Sequence, residues 1–273
     1  MLREFTDSTD IAMDGPALAP RGERDGYLFI RGLLPRDAVR EVRLRFLEIA
    51  ARGGWIDAAH PLEASIAVPA RACKDPEPAY LEVFREMWML EELHRIKHHP
   101  NLVATFERIM GEPVLVHPLL VARNIFPQRE DFDFTTGSHQ DRIHIGGGTS
   151  YAAWTPLGEC PRAKGSLIMA EGSHRRGVLD FRLARGAGGL ELGDDFAGSW
   201  VGSDFAMGDG VIVADTIAHT ARRAASAFDP AERGDTLARD TLLRVAQRAP
   251  DDAKRARAEA LVARLDAASR AAE

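Results

Sequence analysis

The stretch GSHQDRIHIGGGTSYAAWTPLGECPRAKGSLIMAEGSH, residues 137–174, decides how the rest of the chain is read. Near its start, His139 and Asp141 are potential metal ligands one residue apart, in a segment that reads as strand and turn rather than helix. In a strand, side chains at i and i+2 stand on the same face, about 6.5–7 Å apart along the chain. A metal above that face can take one imidazole nitrogen and one carboxylate oxygen, so a third ligand must arrive from a distant part of the chain. The best candidate is His219, which ends the apolar run in GDGVIVADTIAHT, residues 208–220. Two histidines and one carboxylate on one side of an octahedral metal leave three positions open, the arrangement of non-haem Fe(II) oxygenases. Zinc enzymes use the same donor types, so the ligand set alone leaves the metal open.

Working outward, the segment before the motif, PVLVHPLLVARNIF (113–126), is rich in Val, Leu and Ile and reads as two short strands. Short apolar runs punctuated by Gly, Pro and Asp continue to about 218, and DTLLRVAQRA (240–249) reads as a closing strand. Upstream, DGYLFIRGLL (25–34) is a β-rich run, followed by a helix that starts near Pro35. Val39, Val42, Phe46 and Ile49 recur at three- and four-residue spacing and give that helix one apolar face. Further helices are expected over about 77–96 and 100–110, the latter closed by Gly111. Residues 1–20 are polar and contain Pro, and a loose leader is expected there; the Ala- and Arg-rich residues 251–273 are expected to be helical.

With 273 residues and 45% hydrophobic content the chain buries a substantial core, and no composition break compels a second domain, so a single domain over 1–273 is expected. A net charge of −6, with both signs mixed, gives no reason to expect nucleic acid or an anionic membrane surface as a partner. No apolar run approaches the roughly 20 residues of a membrane helix, and the first residues lack the basic-then-apolar pattern of a secretory signal. Cys73 and Cys160 are too few for a disulfide framework, which points to reduced thiols and a cytoplasmic protein.

An α-keto-acid cosubstrate would need a cation for its far carboxylate, and arginine suits it through its two-pronged donor geometry. Arg239 starts the strand after His219, with Thr241 on the same face; Arg244 and Arg223 compete for the role.

The run HQDxxHxGGGTxxxAWTPLGExPxxxGSLIMxEGSH resembles the phytanoyl-CoA dioxygenase family. RDGYLFIRGLLPRDAV is similar to that family's opening strand and helix, WVGSDFAMGDGVIVADTIAHTA to its W-x-x-S-D segment and distal His, and RDTLLRVAQ to its cosubstrate clamp. The resemblance covers about residues 22–250. It implies a mainly β protein with flanking α-helices, built on a double-stranded β-helix (jelly-roll, cupin-like) core. It further implies an oxygenase using Fe(II), 2-oxoglutarate and O2 on a small-molecule substrate. His139, Asp141 and His219 are then the iron ligands, and Arg239 and Thr241 hold the distal carboxylate of 2-oxoglutarate. Trp154 falls beside the cosubstrate, and Asn124 supplies a further polar contact. The presence of Asp141 argues against halogenation, which needs that position vacated. The chain departs from the family pattern at Ala221, where a polar side chain is usual, and in the long stretch between His219 and Arg239. The competing classes are a hydrolase or isomerase using the same triad, and a non-enzymatic jelly-roll binding protein.

Other polar clusters have plainer readings. Gly146-Gly147-Gly148 lacks the Lys-Ser/Thr of a phosphate loop and reads as a turn. His94, His98 and His99 stand at helix ends, His144 reads as pocket-lining or surface, His174 as a strand-end residue, and Ser173 has no nucleophile-elbow context.

Overall fold

In the computed structural model, residues 2–127, 136–145, 150–184, 189–193 and 198–221 are described, with Ala256, Glu259, Ala260, Val262 and Ala263 of the tail. Helix α1 (Gly15–Asp25) starts where the Asp14 side chain accepts a hydrogen bond from the Ala17 N–H, with Pro16 in its first turn. Gly26 ends it at φ +84°, and a Cβ there would come within 2.4 Å of the His174 ring, so turn and packing both require glycine. Strand β1 (Tyr27–Ile30) follows, then helix α2 (Arg36–Arg52), which buries the four residues whose spacing predicts its apolar face. The helix expected over 77–96 is two, α3 (Pro78–Trp88) and α4 (Glu91–Ile96). The break at Met89–Leu90 lets Met87, Leu90 and Leu93 all reach one apolar cluster. Helix α5 (Pro100–Met110) has the expected bounds, with Gly111 closing it at φ +72°.

After the central segment come a single helical turn, α6 (Arg142–Ile145), and the strands β2 (Tyr151–Trp154), β3 (Ile168–Ala170), β4 (Phe181–Leu183) and β5 (Leu190–Leu192). Strands β6 (Trp200–Gly202), β7 (Gly210–Ala214) and β8 (His219–Thr220) complete the described set. There are two antiparallel sheets, ordered β1-β7-β2 and β6-β3-β8, and a separate antiparallel pair, β4–β5, that lies in sequence between β3 and β6 of the second sheet. Tyr27 lies opposite Val213 and Tyr151 opposite Ala214 in the first sheet; Met169 lies between Val201 and His219 in the second.

The two sheets enclose a shared core of Tyr27, Phe29, Met169, Val201, Val211 and Val213. On the opposite face of the first sheet, Leu28, Ile30 and Ile212 pack against Leu18 of α1, Val39 of α2 and Leu102 and Ile109 of α5. That is why YLFI is apolar without alternation: alternate residues face two different apolar environments, and both faces are covered. A third cluster gathers Phe46, Trp55, Tyr80, Met87 and Phe126 beneath α2, α3 and α4. The result is the expected jelly-roll sheet arrangement with helices outside it. Among the described residues, no helix is long and apolar enough to cross a membrane.

Three expectations meet a different outcome. Residues 2–20 are not a loose leader. Phe5 is 6% exposed among Tyr27, Phe29 and Phe205, and Arg3 and Asp7 bridge to Val201 and Phe29 through the backbone. Phe5 and Leu18 are the two fully docked apolar side chains among residues 2–20, and main-chain pairing and scattered polar contacts such as Arg3 with Glu171 supply much of the rest, which composition does not reveal. Residues 113–126 keep the alternation of strands but pair with no strand among the described residues: Leu120, Ala122 and Phe126 pack inward while Leu119, Val121 and Ile125 stay exposed. Side chains meet the backbone there instead, with Tyr80 Oη accepting from the Asn124 N–H at 3.1 Å and Trp88 Nε1 donating to the Leu120 carbonyl at 3.4 Å. A turn of helix, α6, begins directly after Asp141 where strand or turn was expected. The closing strand at 240–249, with Arg239 and Thr241, lies outside the described residues, as does most of 251–273; the tail residues that are described are helical.

Candidate metal centre

His139 and His219 form an antiparallel bridge: the His139 N–H donates to the His219 carbonyl at 3.0 Å, and the His219 N–H returns the bond at 2.9 Å. Directly opposed residues of an antiparallel pair project their side chains to the same face. The two imidazoles therefore lie together, with ring centroids 4.3 Å apart. Asp141 joins them from the turn two residues on, its Oδ1 lying 3.8 Å from His139 Nε2 and 3.6 Å from His219 Nε2. One donor atom from each of the three residues falls within 4.8 Å of the others.

Each ring is oriented the same way. His139 Nδ1 bonds the Gly137 carbonyl at 2.8 Å, and His219 Nδ1 bonds the Ile217 carbonyl at 3.1 Å. A carbonyl only accepts, so both Nδ1 atoms carry hydrogen and both Nε2 lone pairs are free to ligate. Burial pushes the His139 imidazole well below its usual pKa range, and the neighbouring His219, His144 and Arg123 add to the effect against the Gly137 bond. A neutral imidazole is the form that binds metal.

Donors about 2.1 Å from a common ion stand at most about 4.2 Å apart, so the two histidine–aspartate distances need little closing. Two neutral nitrogens and one anionic oxygen suit a divalent cation, and donors drawn to one side leave the remaining octahedral positions for other ligands. His219 is 7% exposed, and Asp141 is the most open of the three.

The surroundings hold these ligands by contacts that the sequence pattern conceals. Gln140 stands between the two ligands of the motif but points the other way, at 0% exposure. Its Nε2 donates to the Gly177 carbonyl at 2.9 Å and to the Thr216 carbonyl, and its Oε1 accepts from the Leu179 N–H at 2.8 Å. Ser173 Oγ accepts from the Ala218 N–H at 2.8 Å, and Thr220 Oγ1 donates to the Thr136 carbonyl at 2.8 Å. Both residues flanking His219 are thus tied to other segments. The alternation that puts His139 and Asp141 on one face implies that Gln140 faces the core; that is the signal by which its role could have been read.

Of the other expected residues, Trp154 and Asn124 are described and have these contacts. Trp154 packs edge-on against Phe205 at 4.9 Å in the core between the sheets, and the Asn124 amide donates to Met87 Sδ at 3.0 Å. His144 lies beside the site, its ring 6.1 Å from that of His139. His174 is turned to the Glu23 carbonyl at 2.8 Å under α1, and His94 to the Trp88 carbonyl at 2.8 Å.

The profile of the phytanoyl-CoA dioxygenase (PhyH) family matches residues 22–231, most of the chain. The chain belongs to that family. PhyH proteins are oxygenases that use Fe(II), 2-oxoglutarate and O2, and the donor set found here is of the kind that holds Fe(II). Among curated relatives, the 1-deoxypentalenic acid 11-beta-hydroxylase of Streptomyces exfoliatus is 27% identical over 180 residues, covering 64% of this chain and 60% of the relative. A probable phytanoyl-CoA dioxygenase of Caenorhabditis elegans is 24% identical over 182 residues, covering 62% and 55%. The chain thus spans about three-fifths of the length of the curated hydroxylases it matches. A crystal structure of the epimerase SnoN in complex with Fe3+, alpha ketoglutarate and nogalamycin RO superposes with a TM-score of 0.50 at 17% identity, covering 76% of this chain and 77% of that one. That likeness shows a shared fold.

Proposed function

We propose that this PhyH-family protein is an Fe(II)- and 2-oxoglutarate-dependent oxygenase that hydroxylates an unactivated C–H bond of a small organic molecule, releasing succinate and CO2. The observation that carries the reading is the convergence of His139 Nε2 and His219 Nε2 on Asp141 Oδ1, with both Nδ1 atoms committed to backbone carbonyls. The name of the two Streptomyces relatives supports hydroxylation as the outcome.

In this reading His139, Asp141 and His219 hold the iron, and Arg239 and Thr241 take the distal carboxylate of 2-oxoglutarate. Bound iron supplies the redox chemistry that couples loss of CO2 from the keto-acid to oxidation of a C–H bond. The chain's own part is geometric. The paired backbone fixes the imidazoles, and the buried face below them keeps water from approaching behind the ligands.

The test is succinate formation from 2-oxoglutarate by the whole protein, with and without Fe(II), under air and under argon. Succinate is expected only where Fe(II) and O2 are both present, and it should rise when an accepted substrate is added. No O2-dependent succinate across a panel of small organic acids and terpenoids would overturn the reading. Turnover without O2 or 2-oxoglutarate would point instead to a hydrolase or isomerase.

A further inference from the structure

Arg142 follows Asp141 and grips the chain just ahead of His219 with both main chain and side chain. Its N–H donates to the Asp215 carbonyl at 2.8 Å, and its Nη2 lies 2.9 Å from Asp215 Oδ1 and 2.8 Å from Oδ2. Asp215 is 4% exposed. It directly follows β7, and the turn there, closed by the Ile217 N–H on the Ala214 carbonyl at 3.0 Å, delivers the chain to His219. Ser150 completes the cluster: its Oγ donates to Asp215 Oδ2 at 2.5 Å, and its carbonyl accepts from the Asp215 N–H at 3.3 Å.

A pair with a buried carboxylate is weak support for stability, because desolvation of Asp215 offsets much of the attraction to the half-buried Arg142. It is suited to fixing geometry, since Arg142 Nη2 lies against both carboxylate oxygens while the Arg142 N–H holds the Asp215 carbonyl, so side chain and main chain are tied at the same place. Its position matters as much as its strength. The backbone bridge between His139 and His219 sets two of the ligands, but Asp141 sits in a turn outside that bridge. Nothing in the bridge fixes where the carboxylate stands. Gln140 on one side of Asp141 and Arg142 on the other both reach the 215–216 turn, so the turn carrying the carboxylate is tied to the turn leading to His219.

We propose that the Arg142–Asp215 ion pair is a positioning device that holds the Asp141 carboxylate at ligating distance from the two histidines. The proposal rests on the metal-centre reading above. It concerns residues outside the His139–Asp141–His219 group, and it predicts that breaking the pair weakens metal binding in protein that is still folded.

The test uses the whole protein without oxygen, with Co(II) as a spectroscopic probe, and reads the dissociation constant and the visible ligand-field spectrum. Asp215→Asn keeps the shape and removes the charge. Folded Asp215→Asn protein, checked by circular dichroism, is expected to bind Co(II) about 10–100-fold more weakly, with an altered spectrum. A merely structural pair would lower the melting temperature and leave affinity and spectrum untouched; that result overturns the proposal. If Asp215→Asn does not fold, Arg142→Lys decides, because it keeps a positive charge opposite Asp215 and replaces the planar guanidinium with a shorter, freely rotating ammonium. Weaker Co(II) binding by folded Arg142→Lys supports the device, and wild-type affinity overturns it. Failure of the wild-type protein itself to bind Co(II) would sink the metal-centre reading and the proposal together, whereas equal binding by wild type and variants sinks the proposal alone.

Discussion

The helical cluster beneath α2, α3 and α4 buries Phe46, Trp55, Tyr80, Met87 and Phe126 against one another, with Trp55 and Tyr80 stacked at 5.4 Å. The strand junction around the candidate metal centre buries Gln140, Ser173, Asp215, His219 and Thr220, and each of these has a polar partner. Both regions are largely buried, but they are held by different means. Apolar contact is additive and forgiving of small shifts, so it stabilises without specifying ångström positions. Buried hydrogen bonds contribute little net stability each, but they are costly to break and strict in geometry. The molecule therefore concentrates its strict contacts where donor atoms must converge, and its forgiving ones where helices cover a sheet.

The largest expected effect breaks the metal side alone. His219→Ala removes one of three ligands, and O2-dependent succinate formation should fall by at least about 10³-fold, on the order of 4 kcal/mol of lost stabilisation. Thermal unfolding of the metal-free protein should move less than it does for a large apolar deletion in the helical cluster. If His219→Ala retained Fe(II)-dependent turnover, the junction would not be the metal site.

The matching perturbation on the other side is Met87→Ala, at a position with 0% exposure. Losing a buried Met to Ala costs about 2–5 kcal/mol, the lost transfer free energy plus a cavity. Denaturant unfolding should show that loss, while Co(II) affinity of the folded protein stays at the wild-type value, because Met87 belongs to the helical cluster and the triad does not. A parallel loss of metal affinity would show that the two regions are one mechanical unit.

What could be read from residues alone follows the same division. The candidate metal-binding triad is legible because few residue types bind metal and the i, i+2 spacing of a strand is fixed, so His139, Asp141 and His219, which the fold brings together, stand out within a series of ordered motifs. Helices α2 and α5 are legible because their apolar spacing and end residues are local. Asp215 is not, because a polar residue at the end of an apolar run looks the same whether it faces water or a buried partner; alternation turns Gln140 inward, but only the fold supplies the Gly177 and Thr216 carbonyls that it meets. Residues 113–126 show the converse. Their alternation correctly separates Leu120 and Phe126 from Leu119 and Val121, but a strand also needs a neighbouring backbone, and no periodicity in one segment encodes where that neighbour is.

The smallest effect sharpens the comparison from within the helical cluster. Cys73 is buried there, and desolvation, with the nearby Glu77 charge adding, pushes its thiol from the ordinary 9.0 up to about 11. A pKa raised in the folded state favours the protonated form, so the thiol's contribution is fully present below pH 9 and is lost as pH rises from about 9 towards 11. Cys73→Ala lacks that titration. The stability advantage of wild type over Cys73→Ala should therefore shrink across that window, by on the order of 2 kcal/mol at the top. The same burial should make native Cys73 slow to alkylate at about pH 9 and fast after unfolding, since the thiolate is the nucleophile. A difference between wild type and Cys73→Ala that stayed flat from about pH 8 to about 11 would mean that the cluster admits enough water to solvate a thiolate. The helical region would then not be the dry, apolar counterpart of the polar junction.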